Sequence, residues 1–115
     1  MDNANLNALI VDQLTENKAA EIKQIDVREM TGVTDTLIIC TASSTRHAKS
    51  LADKTTEHCK KNNFTPIGVE GKEEAEWILI DMADTVVHIM TADAREHYNL
   101  EKLWGIIETQ RQINE

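Results

Sequence analysis

The chain of 115 residues is 41% hydrophobic, enough apolar material for one core and not for a second independent one. Its 20 Asp and Glu outweigh 12 Lys and Arg to give a net charge of −8, a field that repels phosphate and attracts basic surfaces. Tight binding to bare RNA or DNA is therefore disfavoured, and with no positive leader region and no apolar run near the ~20 residues that span a bilayer, the expectation is a cytoplasmic domain that engages neither DNA nor membrane.

Residues 4–17 place Leu6, Leu9, Ile10, Gln13 and Leu14 at helical spacing behind possible caps at Asp2, Asn3 and Asn5, which predicts an amphipathic first helix. Residues 21–27 are β-branched enough for a strand, although Ile22 is out of step with Ile25 and Val27. After a polar loop, residues 36–42 form an almost continuous apolar run, the pattern of a central strand covered on both faces. Ser43, Ser44 and Thr45 offer hydroxyl caps to a helix over 45–61, whose Ala48, Leu51, Ala52, Thr55 and Cys59 line one face. Asn62 and Asn63 end it, and Ile67-Gly68-Val69 reads as a short strand, so this strand–helix–strand order predicts a right-handed crossover. A charged loop over 70–76 precedes two closely spaced strands at 77–82 and 85–90, followed by short helices over 92–98 and 100–107 and a polar tail over 108–115. The order α-β-β-α-β-β-β-α describes a single α/β domain over 1–107, with a mixed sheet of about five strands and helices mainly on one face.

The last two strands carry the most informative pattern. If Ala83 and Asp84 form a two-residue turn, Asp81 faces Val86, Leu79 faces His88 and Trp77 faces Met90. One face then holds Ile78, Ile80, Met82, Thr85, Val87 and Ile89, an evident core side. The other mixes Trp77, Leu79, Val86 and Met90 with Asp81 and His88. Two readings follow. An apolar patch rimmed by polar groups is the usual look of a protein-binding surface, and Trp is enriched among residues that dominate interfaces. Alternatively, the segment from Tyr98 to Ile107 folds over this face and makes a second core layer. Ala-Asp is a poor turn by residue preference, and a one-residue slip of either strand would exchange its faces.

Other motifs carry less chemistry. The run Thr41-Ala42-Ser43-Ser44-Thr45-Arg46-His47 sits at a strand-to-helix junction where an anion could bind, but it lacks the glycines of a phosphate cradle and reads first as helix capping. Asp81 and Asp84 are the nearest pair for magnesium, with no Gly-Ser turn before them. His47, His58, His88 and His97 show no ligand spacing with Cys40 and Cys59, and a Cys40 buried in a strand would be inert, so neither a metal, a cofactor nor a catalytic residue is expected. The basic residues Arg46, Lys49, Lys54, Lys60 and Lys61 read first as a solvated helix face.

Two stretches together resemble the signature of the Iojap-like ribosomal silencing factors. One runs from Asp35 through Thr41-Ala42-Ser43-Ser44-Thr45-Arg46-His47 to Leu51-Ala52-Asp53. The other runs from Glu70-Gly71 through Trp77-Ile78-Leu79-Ile80-Asp81 and Val86-Val87-His88 to Arg95, Tyr98 and Leu100-Glu101-Lys102-Leu103-Trp104. Thr36-Leu37 stands where the family often has Tyr-Phe, Met82-Ala83 where it often has Tyr-Gly, and Met90 where it often has Phe. The resemblance implies a non-enzymatic domain with nucleotidyltransferase-like topology and no active site. Its implied role is to bind the large ribosomal subunit through ribosomal protein fourteen and bar the small subunit under nutrient limitation. The resemblance also implies plant and mitochondrial relatives that act in organellar ribosome biogenesis. The mixed hairpin face read above is expected to supply the docking residues, Trp77, Leu79, Asp81, His88 and Met90, with Tyr98 adding contacts, and the free protein is expected to dimerise through the same apolar face. A rival expectation is a degenerate nucleotidyltransferase that still holds nucleotide and magnesium near Ser43-Ser44.

Overall fold

The computed structural model describes residues 3–29, 32 and 34–98. In chain order the elements are α1 (Asn3–Glu16), β1 (Ala20–Asp26), β2 (Thr36–Ala42), α2 (Thr45–Lys61), β3 (Gly68–Glu70), β4 (Trp77–Asp81), β5 (Thr85–Thr91) and α3 (Ala92–Tyr98). The helix expected over 100–107 and the tail over 108–115 lie outside the described residues.

The sheet runs β1-β2-β5-β4-β3, with β2 and β5 parallel and every other pair antiparallel. This is the mixed five-stranded α/β sheet that the sequence predicts. The crossover through α2 is wider than its order suggests, because β5 and β4 lie between β2 and β3. Length decides it. β2 pairs over seven residues with β5, whereas β3 has three exposed residues suited only to an edge.

Leu6, Ile10 and Leu14 of α1 and Ala48, Leu51, Ala52 and Cys59 of α2 pack on one sheet face against Ile38, Cys40, Ile78, Ile80, Val87 and Ile89. Both helices close in the same way. Lys18 (φ 69°) and Asn63 (φ 70°) take the left-handed conformation after the helix end. The next amides, of Ala19 and Phe64, then reach back to the carbonyls of Leu14 and Cys59, each at 2.9 Å. Asn7 is the one side chain of α1's inner stripe that is both buried and polar, and it is satisfied. Its Oδ1 accepts from Thr85 Oγ1 at 2.5 Å and its Nδ2 donates to Thr36 Oγ1 at 3.4 Å, which pins α1 to β2 and β5. The short helix α3 takes the opposite face, where Ala94 buries against Ile39 and Met90.

The phase break at Ile22 is a β-bulge. Between Ala20 and Lys23 the register with β2 shifts and Glu21 takes a φ of 47°, so Ile22 packs toward α1 and α2 while Ile25 packs toward α3. The β4–β5 register is the one read from the sequence, Trp77 opposite Met90, Leu79 opposite His88 and Asp81 opposite Val86. Its turn is tight: the Asp84 amide donates to the Met82 carbonyl at 3.0 Å across Ala83, whose φ is 73°. A Cβ at that φ is strained and glycine is not. Replacing Ala83→Gly is expected to raise stability by about 1 kcal/mol, read as a higher urea midpoint with unchanged slope.

Candidate functional site

The face of the sheet that carries α3 is ordered in rows across the strands. Ile25, Leu37, Val86, Asp81 and Gly68 lie in one row, Lys23, Ile39, His88, Leu79 and Glu70 in the next, and Thr41, Met90 and Trp77 in the third. Cover changes along each row. Ile39 and Met90 have no exposed surface and His88 only 8%, whereas Trp77, Leu79, Asp81 and Val86 are partly exposed. Beyond Tyr98, the segment expected to cover this face, 98–107, lies outside the described residues. Among the described residues it is α3 that makes a second core layer over the β2–β5 half, and the β4 half is open in part.

The cover is held by Arg95. Its Nη1 donates to the Glu21 carbonyl at 2.6 Å and to Thr41 Oγ1 at 2.7 Å, and the Glu21 carboxylate lies 3.9 Å away. The bulge in β1 presents that carbonyl to it, so an irregularity at one edge of the sheet fixes the helix that lies across its middle. Met90 lies beneath Ala94 and offers a partner no surface while α3 is in place. The side chain of Tyr98, the last residue of α3, lies outside the described residues.

Trp77 and His88 are joined. The indole Nε1 donates to His88 Nδ1 at 2.9 Å, with ring centroids 5.8 Å apart and planes tilted by 42°. Because Nδ1 accepts, the imidazole is neutral with its proton on Nε2. Asp81 turns inward on its own hairpin, its Oδ1 accepting the Ala83 amide at 2.9 Å.

Beside Trp77, a groove is bounded by the loop between β3 and β4, with Glu70, Glu73, Glu74 and Glu76 along it. Lys72, the one cation among the described residues of that groove lining, is drawn to Asp53 of α2 in an ion pair. The loop's shape depends on Gly71, whose φ is +88° and where a Cβ would stand 2.2 Å from the Trp77 carbonyl. The surface around Trp77 and Leu79 is thus apolar at its centre and acidic at its edge.

The strand-to-helix junction is occupied by its own caps. Ser44 Oγ accepts the His47 amide at 3.0 Å, His47 Nδ1 accepts the Ser43 amide at 2.9 Å, and His47 Nε2 lies 2.9 Å from the Asn17 carbonyl. The thiols are deeply placed: burial pushes Cys40 up to about 12 and Cys59 up to about 11, so both stay protonated and unreactive near neutral pH. Among the described residues, no helix is long and apolar enough to cross a membrane.

The sequence profile of the family described as "Ribosomal silencing factor during starvation" matches residues 2–115. The chain belongs to the Iojap-like family of ribosomal silencing factors. It is 44% identical over 96 residues to the ribosomal silencing factor of Haemophilus influenzae, covering 84% of this chain and 94% of that one. It is also 32% identical over 91 residues to the chloroplastic Iojap protein of Zea mays, covering 79% of this chain and 40% of the longer plant protein. A crystal structure of a Chromobacterium violaceum protein superposes with a TM-score of 0.89 at 32% identity, covering 91% of this chain and 88% of that one. Membership places the chain among ribosome-associated factors that regulate translation.

Within this silencing-factor fold, the β4–β5 register is legible in the sequence, but the Arg95 latch and the place of Glu70 are not. The register of β3 against β4 places Glu70 beside Leu79, and three exposed residues give no periodicity from which to read it. Nor does the sequence reveal that His88 is buried, which depends on α3 lying over β5. That burial pushes His88 down to about 4 from 6.5. An unfolded chain then binds a proton that the folded one refuses, so the contribution is complete above pH 6.5 and is lost as pH falls toward 4. Urea titrations should show a loss of about 2 kcal/mol between pH 7 and pH 5, and a flatter profile for His88→Asn.

Proposed function

We propose that this domain docks on the large ribosomal subunit through the β4 half of the sheet face, against ribosomal protein fourteen. In that position its bulk bars the small subunit from joining and represses translation in the cytoplasm under nutrient limitation. The supporting observation is the juxtaposition of partly exposed Trp77 and Leu79 with Asp81 and the acidic loop 70–76. An aromatic and an aliphatic anchor ringed by carboxylates suits a basic ribosomal protein with an apolar patch of its own. Trp77, Leu79 and Asp81 make the direct contacts in this reading, with Tyr98 at the end of α3 adding to them, while His88 and Met90 act from beneath. No bond is made or broken; occupancy of the subunit interface is the whole mechanism. When the ribosome is absent, the same patch pairs two copies of the chain, which the charge of −8 on each keeps weak.

Removing either anchor should cost most of the affinity, because a few buried aromatic and apolar residues carry an interface. In co-sedimentation with isolated large subunits, Trp77→Ala and Leu79→Ala are each expected to bind at least about tenfold more weakly while retaining the wild-type circular dichroism spectrum. Wild-type binding by both folded variants would move the docking site elsewhere.

A further inference from the structure

His88 occupies the middle of the sheet face, between Ile39 of β2 and Leu79 of β4, and 8% of it reaches solvent. A side chain so placed has little surface with which to meet a partner. What it provides is a fixed acceptor, Nδ1, for the N–H of the more exposed Trp77 at 2.9 Å. An indole on a strand has several staggered orientations open to it, and fixing one of them before docking removes an ordering cost from the binding step. The imidazole suits that task because its own position is already determined. Its strand is paired on both sides, and α3 lies over the same strand.

We infer that His88 is a positioning residue, which holds the Trp77 indole in its docking orientation by accepting the ring N–H and does not itself touch the ribosome; the inference rests on the docking face proposed above. Trp77 then meets its partner through the carbon surface of the ring, since its N–H is already committed within the domain. Affinity must follow the state of the indole bond and not the identity of the residue at position 88.

Asn and Leu at position 88 separate these possibilities. His88→Asn sets an amide oxygen where Nδ1 stands, so the acceptor survives without the ring, whereas His88→Leu removes the acceptor and keeps the volume apolar. The bond is read from the Trp77 indole N–H resonance and its solvent exchange, assigned by its disappearance in Trp77→Phe, and affinity from co-sedimentation with large subunits. His88→Leu is expected to shift that resonance and weaken binding about tenfold, and His88→Asn to keep both near wild type. A folded His88→Leu protein that has lost the bond yet binds as wild type overturns the inference. So does a His88→Asn protein that keeps the bond and binds weakly, which would make the imidazole a direct contact. If His88→Leu does not fold, His88→Asn decides alone: binding must be strong where its indole bond is present and weak where it is absent. Trp77→Ala and Leu79→Ala serve as the reference. Should they bind as wild type, the docking face itself fails; should they bind weakly while affinity ignores the indole bond, only the role of His88 fails.

Discussion

The parallel pairing of β2 with β5 is the constraint around which the rest of the domain is arranged. Seven residues of each strand run side by side, and nearly all of their side chains are buried on both faces of the sheet. Such a pair needs cover above and below. The helices α1 and α2 supply it on one side through their aliphatic stripes, and α3 supplies it on the other through Ala94. The Arg95 latch to the β1 bulge serves the same need, adding polar contacts to the small apolar one that Ala94 makes.

That cover is uneven, and the unevenness leaves the proposed docking strip partly open. Among the described residues, two helices span the first face, while on the second α3 sits over β5 and β2. Burial therefore falls off from Met90 and His88 of β5 toward Leu79 and Trp77 of β4, so the last strand before the sheet edge keeps apolar surface within reach of solvent. The loop preceding β4 adds carboxylates along the margin, and its one lysine is taken by Asp53. The docking proposed above needs a specific adhesive surface and enough bulk behind it, and a partly exposed strip backed by a core packed on both faces supplies both.

Much of this is legible in the sequence because it rests on local periodicity. The apolar run at 36–42, the stripe of Ala48, Leu51, Ala52, Thr55 and Cys59, and the alternation through Ile78, Ile80, Val87 and Ile89 each specify a buried side, and the structure buries all of them but the half-buried Thr41. Even the bulge leaves a trace, in the phase break at Ile22. What is not legible depends on which elements become neighbours. An apolar run reports that a strand is central without saying that β5, and not β3, lies beside it. Likewise, the mixed face of β4 and β5 cannot reveal that α3 covers half of it, because Ala94 and Arg95 act across more than fifty residues of chain from Thr41. The Trp77–His88 bond was within reach of the correct register, which places the two residues on one face in adjacent rows. Its direction, and the burial of its acceptor, were not.

The central claim is that the open half of this sheet face meets the ribosome. A photoreactive group placed in turn at Leu79, on that face, and at Glu57, on the exposed side of α2, would test it on intact large subunits. The account predicts a cross-link from Leu79 to one protein of the large subunit and none from Glu57. Cross-links from Glu57, with none from Leu79, would contradict it.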